Sequence, residues 1–323
     1  MVLIGSCSGK FYALDRRSGL IHWSYNVNAG GEQFQFHGDP LVRDGAAFVG
    51  TDGTGVASVW SFDVRDGTRR WRYELLDESA QEQGVPTTII GPPAAVCGAT
   101  FSDEVFCVDA KRGALLWKYQ SSQRRNAGTL RPSPALVKGV LLFPALDANV
   151  YALDAANGAL KWKRKLAAPI RTSIVTDDRS AYVGCENGHL YRLRATDGEV
   201  EGSVDLGSTP YFTPLLHAGN VYIFTGSDEN NRLVAVDRAL KNVLWRQTTP
   251  GGWSSPRPYA HRATVIAGTE KGDVVALDVA TGKLRWSEHF GGVIRAIGVD
   301  GDVLYAGALT GRVTAFRAPS HSR

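Results

Sequence analysis

Methionine occurs once and cysteine only four times in the 323 residues. Cys7, Cys97, Cys107 and Cys185 include no adjacent pair and no C-x-x-C, so the usual thiolate zinc spacing is missing. No stretch approaches the roughly 18 apolar residues of a membrane helix. Met1 to Gly5 brings neither the basic region nor the apolar run of a signal peptide. His22, His37, His189, His217, His261, His289 and His321 form no H-x-H or H-E-x-x-H, and no G-x-S-x-G occurs. No segment sustains a capped 3.6-residue period, which leaves no long helix to predict. The formal charge of +4 is small for this length and does not point to nucleic acid as a partner.

Glycine, in contrast, is abundant, at 36 residues, and the chain repeats itself. Asp15, Gly19 and Trp23 stand four residues apart, and the spacing returns as Asp63, Gly67, Trp71, as Asp109, Gly113, Trp117, as Asp154, Gly158, Trp162 and as Asp278, Gly282, Trp286. Two copies are degraded: one reads Arg194, Gly198, Gly202, and the other keeps Asp237 and Trp245 around Lys241. An eighth stops after Arg317. The anchors fall about 43 residues apart, the length of a four-stranded propeller blade. Length alone would allow several domains, but the repeat replaces that estimate with one domain over residues 1–323.

The reading is therefore all-β: one eight-bladed propeller of four-stranded antiparallel blades. Gaps between blades widen outward. Inner strands then need small residues, as in "RPSPA", "YFTPL" and "WSSPR", and outer strands need Trp, whose indole N–H requires an acceptor. Asp bonds backbone amides in the turn before that strand, and Gly supplies φ > 0. Six of the eight tryptophans are explained this way, leaving Trp60 and Trp253. Blade five lacks its tryptophan, which predicts a loose junction with faster hydrogen exchange over 180–205 than over 140–165. Blade one opens on a second strand and blade eight ends on a third, so both are expected to be incomplete with unpaired edges. The chain reads as continuing upstream by on the order of 20 residues. Cys97 and Cys107, equidistant from Ser102 in a hairpin, either sit as buried thiols or bridge each other.

The run YALDxxxGxxxW resembles the tryptophan-docking repeat of PQQ-like β-propellers over nearly the whole chain. That family includes quinoprotein dehydrogenases, the outer-membrane assembly factor BamB, sensor domains of bacterial kinases and propellers fused to adenylation enzymes. The motif marks blade packing, so the resemblance implies fold before function. The dehydrogenases are much longer and carry an adjacent cysteine pair and a hard cation; this chain has no such pair. Its acidic–amide cluster, Ser227 to Asn231, reads as a hairpin turn.

The expected site is the mouth of the central channel, where residues leading into inner strands converge: His37, Arg131, Arg171, Tyr211, Trp253, Arg257 and Arg295. Arginine and aromatic residues are enriched at binding hot spots. The same arginines can instead pair with acids or backbone carbonyls. Long junctions at 25–39, 73–86 and 119–132 offer a second binding surface or simple length drift. The expectation is a non-catalytic scaffold that binds a protein or peptide, with no metal, no cofactor and no nucleic acid; whether a small ligand enters the channel is open. The alternatives are a ligand-sensing propeller detached from a kinase-like or adenylating protein, and a PQQ-dependent dehydrogenase. An extracytoplasmic location would follow if a leader precedes this sequence; the compartment is otherwise open.

Overall fold

Apolar runs of five or six residues, broken by Gly, Asp and Asn turns, can bury themselves only as strands. The computed structural model describes residues 1–53, 56–76, 83–85, 88–92, 94–121, 132–226, 231–249 and 251–318. Among these, regular structure is strand alone, with no helix. The strands form eight antiparallel sheets in chain order, the blades of an eight-bladed β-propeller. Two compact units carry four blades each, Met1–Lys165 and Leu166–Arg323. Blade four shows the plan: Ala135–Val137, Val140–Pro144, Asn149–Asp154 and Leu160–Lys165 pair in that order from inner to outer. Blade two adds a short strand, Gln83–Gly84, on Ala46–Gly53. Blades one and eight have three strands each, as the sequence predicts. Blade one has no described strand inside Val2–Gly5, and blade eight none outside Val313–Arg317.

The core follows strand position. Second strands such as Ser180–Gly184 are buried along their whole length. Outer strands are mostly exposed, and in Ile21–Asn26 and Leu115–Gln120 the tryptophan is the one fully buried residue. Four of the outer-strand indoles dock onto the turn of the next blade. Nε1 of Trp23, Trp71, Trp117 and Trp245 donates to the carbonyls of Val64, Ala110, Ala155 and Val279, at 2.9, 2.9, 3.1 and 3.1 Å. Each acceptor directly follows the motif aspartate. The ring lies flat on the motif glycine of that turn: a Cβ on Gly67, Gly113, Gly158 or Gly282 would come within 2.6–2.7 Å of indole carbons. All four have φ between 68 and 75°. Glycine is thus required twice over, by the backbone and by the ring. A β-bulge in the outer strand pair sets each tryptophan opposite a small residue: Ala13, Ser61, Cys107, Ala152, Ala235 and Ala276. The motif aspartates cap the turns. Asp15 accepts from the amides of Arg17 and Ser18 at 3.0 and 2.7 Å, and Asp278 from those of Ala280 and Thr281 at 3.1 and 2.9 Å.

The loose junction expected after blade five is filled instead. Because a tryptophan docks on the glycine of the next blade, Gly202 in blade five and Lys241 in blade six are one change. With no ring to seat, Leu240 enters the slot at φ 57° and is buried in the cluster of Tyr182, Leu190 and Val234. Tyr182 Oη donates to the Arg238 carbonyl at 3.2 Å, the acceptor that an indole would use. Across the strand pair the sizes are exchanged too: Arg192 faces Gly202 and bonds Ser180 Oγ at 3.1 Å. Cys97 and Cys107 face each other in register and form a disulfide, the second of the two sequence readings. Trp60 is fully buried and donates to Thr51 Oγ1 at 3.0 Å.

Candidate functional site

The small-residue segments that open the inner strands of the second unit interlock. Ser173 N donates to the Phe212 carbonyl and Thr213 N to the Pro256 carbonyl, each at 3.2 Å. Thr213 Oγ1 meets Ser173 Oγ at 2.9 Å, and Ser254 Oγ donates to the Ile294 carbonyl at 2.6 Å. Hydroxyls also tie each segment to its own blade: Thr172 Oγ1 accepts from Gly184 N at 2.7 Å, and Ser255 Oγ from Gly268 N at 3.1 Å. The expectation that these positions need small side chains has a polar counterpart, since hydroxyls satisfy amides that no strand partner reaches. Phe212 takes φ 63° in a bulge between Tyr211 and Leu215, a costly backbone for an aromatic residue that the bonds to both neighbours hold in place.

Beyond this network the inner strands of blades five to eight line one open cavity of about 450 Å³. Its walls include Val175, Leu215, Leu216, Tyr259 and Ile297, and Arg257 stands among them. The Arg257 guanidinium lies 5.0 Å from the centre of the Tyr259 ring. The cavity therefore offers apolar surface beside one stacked cation. That combination suits a side chain or peptide segment better than a polar metabolite.

The seven residues proposed from sequence do not share one environment. Arg257 lines the cavity. Arg171 pairs with Glu186, Arg295 Nη1 donates to the Ser254 carbonyl at 3.3 Å, and Tyr211 Oη bonds Asn231 Oδ1. Burial pushes the Tyr211 phenol well above its ordinary range. Trp253 is only 2% exposed, packed against Phe224, and Nε1 has no partner among the described residues. Its indole fills the core of blades six and seven and is not presented to solvent. His37 belongs to the other compact unit, where Nδ1 bonds the Asp52 carboxylate and Nε2 lies 3.8 Å from Cys7 Sγ. Asp52 holds the His37 imidazole above the usual histidine range, against burial, which lowers it. Arg131, His321, residues 227–230 of the acidic–amide cluster and parts of the long junctions lie outside the described residues. The sequence reading missed Leu215, Leu216, Tyr259 and Ile297, which look like ordinary strand apolars, and Cys7 and Asp52, which no spacing connects to His37.

Comparison with known proteins fits this architecture. The outer membrane protein assembly factor BamB of Yersinia pestis is 25% identical over 235 residues, 71% of this chain and 56% of that protein. A lupanine 17-hydroxylase [cytochrome c] of Pseudomonas sp is 24% identical over an alignment covering 93% of this chain and 50% of that protein. The chain thus spans between half and three fifths of the length of these relatives. The crystal structure of BamB from Moraxella catarrhalis superposes with a TM-score of 0.81 at 21% identity, covering 98% of this chain and 93% of that one, which shows the fold. The family profile described as outer membrane protein assembly factor BamB matches residues 1–204 and 229–320, and the chain belongs to that family.

Proposed function

We propose that the chain acts as one non-catalytic propeller domain that binds a protein or peptide partner, with the cavity of blades five to eight as its contact surface. The observation that carries this reading is an open apolar cavity with Arg257 stacked on Tyr259 among its walls, set on inner strands that hydroxyl bonds lock together. An exposed arginine braced on a buried aromatic ring by rigid strands is a suitable anchor for a protein contact. The name of the BamB relatives, assembly factors, supports a binding role and not chemistry. In this reading Arg171, Tyr211 and Arg295 stiffen the surroundings through their own partners, while Arg257 meets the incoming chain. No cofactor, metal or nucleic acid takes part.

The likeness to a lupanine 17-hydroxylase keeps a quinoprotein reading testable. Titration with PQQ and calcium, followed by tryptophan fluorescence, is expected to leave the spectrum unchanged. Saturable quenching would displace the scaffold reading. Arg257→Glu is expected to abolish retention of the partner at an unchanged unfolding midpoint. Full retention by that variant would remove the cavity from the function.

A further inference from the structure

A second group of side chains, in the other compact unit, has no part in the proposed binding. Cys7 lies in the turn between Val2–Gly5 and Lys10–Leu14 and is exposed. His37 Nε2 is 3.8 Å from Cys7 Sγ, within hydrogen-bonding range for sulfur, and His37 Nδ1 is bonded to Asp52 Oδ2. Main-chain bonds hold the three in place. Gln35 and Asp52 exchange N–H···O bonds of 2.9 and 3.0 Å, and Phe36 N donates to the Ser6 carbonyl at 3.4 Å. The segment carrying His37 is thus tied to the strand of Asp52 on one side and to the turn of Cys7 on the other. The Asp52 side chain is mostly buried, and its Oδ1 has no partner among the described residues. Gly84 lies opposite Asp52, and a Cβ there would come within 2.3 Å of Oδ1. The backbone makes room for a carboxylate that burial alone would disfavour.

The chemistry follows from the connectivity. With Asp52 accepting from Nδ1–H, the neutral imidazole keeps its lone pair on Nε2, toward the thiol. Nucleophile, base and orienting carboxylate then stand in series, the general arrangement for activating a weak nucleophile. The three remaining cysteines differ sharply: Cys185 is buried and its thiol is pushed up to about 12 by desolvation, and Cys97 and Cys107 are bonded to each other.

We propose that Cys7 is a modification site, an activated thiol that His37 and Asp52 prepare for exchange with a low-molecular-weight disulfide. Sγ attacks one sulfur of the disulfide R–S–S–R as the thiol proton passes to His37 Nε2. A Cys7–S–S–R bond forms and the original S–S bond breaks. The departing thiolate takes the proton back from the imidazolium and leaves as R–SH. Cys7 is oxidised to the disulfide level, the departing sulfur is reduced, and no further oxidant is needed. Asp52 is a positioning residue throughout. The exposed thiol suits a small disulfide, and the adduct would cover the turn between the first two strands of blade one.

The test is the rate of reaction of the full, unreduced chain with 2,2′-dithiodipyridine, a neutral disulfide that releases a chromophoric thione, at pH 7. An ordinary thiol is only a few per cent thiolate there, which leaves room for about a tenfold gain from an internal base. The expected result is one fast equivalent, located on Cys7 by peptide mass spectrometry, about tenfold faster than glutathione under the same conditions. Cys7→Ser removes it. His37→Ala and Asp52→Asn fall to the glutathione rate, and added imidazole restores part of the His37→Ala rate, which a purely structural role would not allow. The proposal fails if wild type reacts no faster than glutathione, if His37→Ala reacts as fast as wild type, or if the fast label lies on Cys185.

Discussion

Gly158 and Gly19 occupy the same place in their repeats and the same backbone region, at φ 74 and 71°. They differ in what lies above them. A Cβ on Gly158 meets Trp117 Cε3 at 2.6 Å and Cδ2 at 2.7 Å, whereas nothing lies within 4 Å of one on Gly19. Alanine at either site costs about 1–2 kcal/mol for the left-handed backbone, of which a less flexible unfolded chain returns about 0.4–1. Gly19→Ala is therefore expected to destabilise by roughly 1 kcal/mol, and by no more than about 1.6. Gly158→Ala adds the displacement of a packed ring, about 1–3 kcal/mol as for overpacking elsewhere. Trp117→Ala alone should cost about 3–5 kcal/mol. In that background the ring is gone, so Gly158→Ala reverts to the backbone cost alone. The cycle should thus show about 1–3 kcal/mol of non-additivity between the two positions. Urea unfolding followed by far-ultraviolet circular dichroism reads this, provided the m-values of the variants agree. Strict additivity, or a Gly19→Ala variant as unstable as Gly158→Ala, would refute the docking of each ring on the glycine of the next blade.

Further outcomes follow from other contacts. Tyr182→Phe should cost about 1 kcal/mol through loss of its bond to the Arg238 carbonyl. Hydrogen exchange over 180–205 should be no faster than over 140–165, and faster exchange would show that Leu240 and Tyr182 do not fill the slot. The Asp278 carboxyl is held at about 2, chiefly by its bond to Arg285. Its folded value lies below the unfolded one of 3.8, so its contribution is complete above about pH 4 and is lost as pH falls toward 2. The melting temperature of Arg285→Ala should fall less steeply than that of wild type over that interval, and parallel slopes would reject the pairing. Thiol titration of the unfolded chain should give two groups without reductant and four after reduction, as the Cys97–Cys107 bridge requires.

Much of the fold was legible because the motif is mechanical. Asp, Gly and Trp at fixed spacing report a turn, a left-handed backbone and a filler, and these recur in phase wherever a blade does. The blade-five junction was misread for a related reason. The repeat alignment compares a residue with its counterpart in other blades, whereas Gly202 faces Ala239 and Leu240 across a junction, and Tyr182 supplies its hydroxyl from a different strand. The channel mouth was only partly legible. Arg257, expected at the mouth by its type and place, lines the cavity, but apolar wall residues such as Ile297 carry no signal that separates cavity from core. Trp253 shows the converse: an aromatic at the expected rim position turned inward to pack against Phe224. The Cys7–His37–Asp52 series was illegible, because residues that far apart in sequence are brought together by main-chain bonds, Gln35 with Asp52 and Phe36 with Ser6, that no local pattern announces.

The most direct test of the binding account is photo-crosslinking from inside and outside the cavity. A photoreactive phenylalanine analogue is placed in turn at Arg257, at Thr176 on the cavity wall, and at Lys111 on an exposed turn. After irradiation in cells that express the protein, the account predicts the same discrete adduct from positions 257 and 176 and none from 111. An adduct of equal yield from 111, or none from the cavity positions, would contradict it.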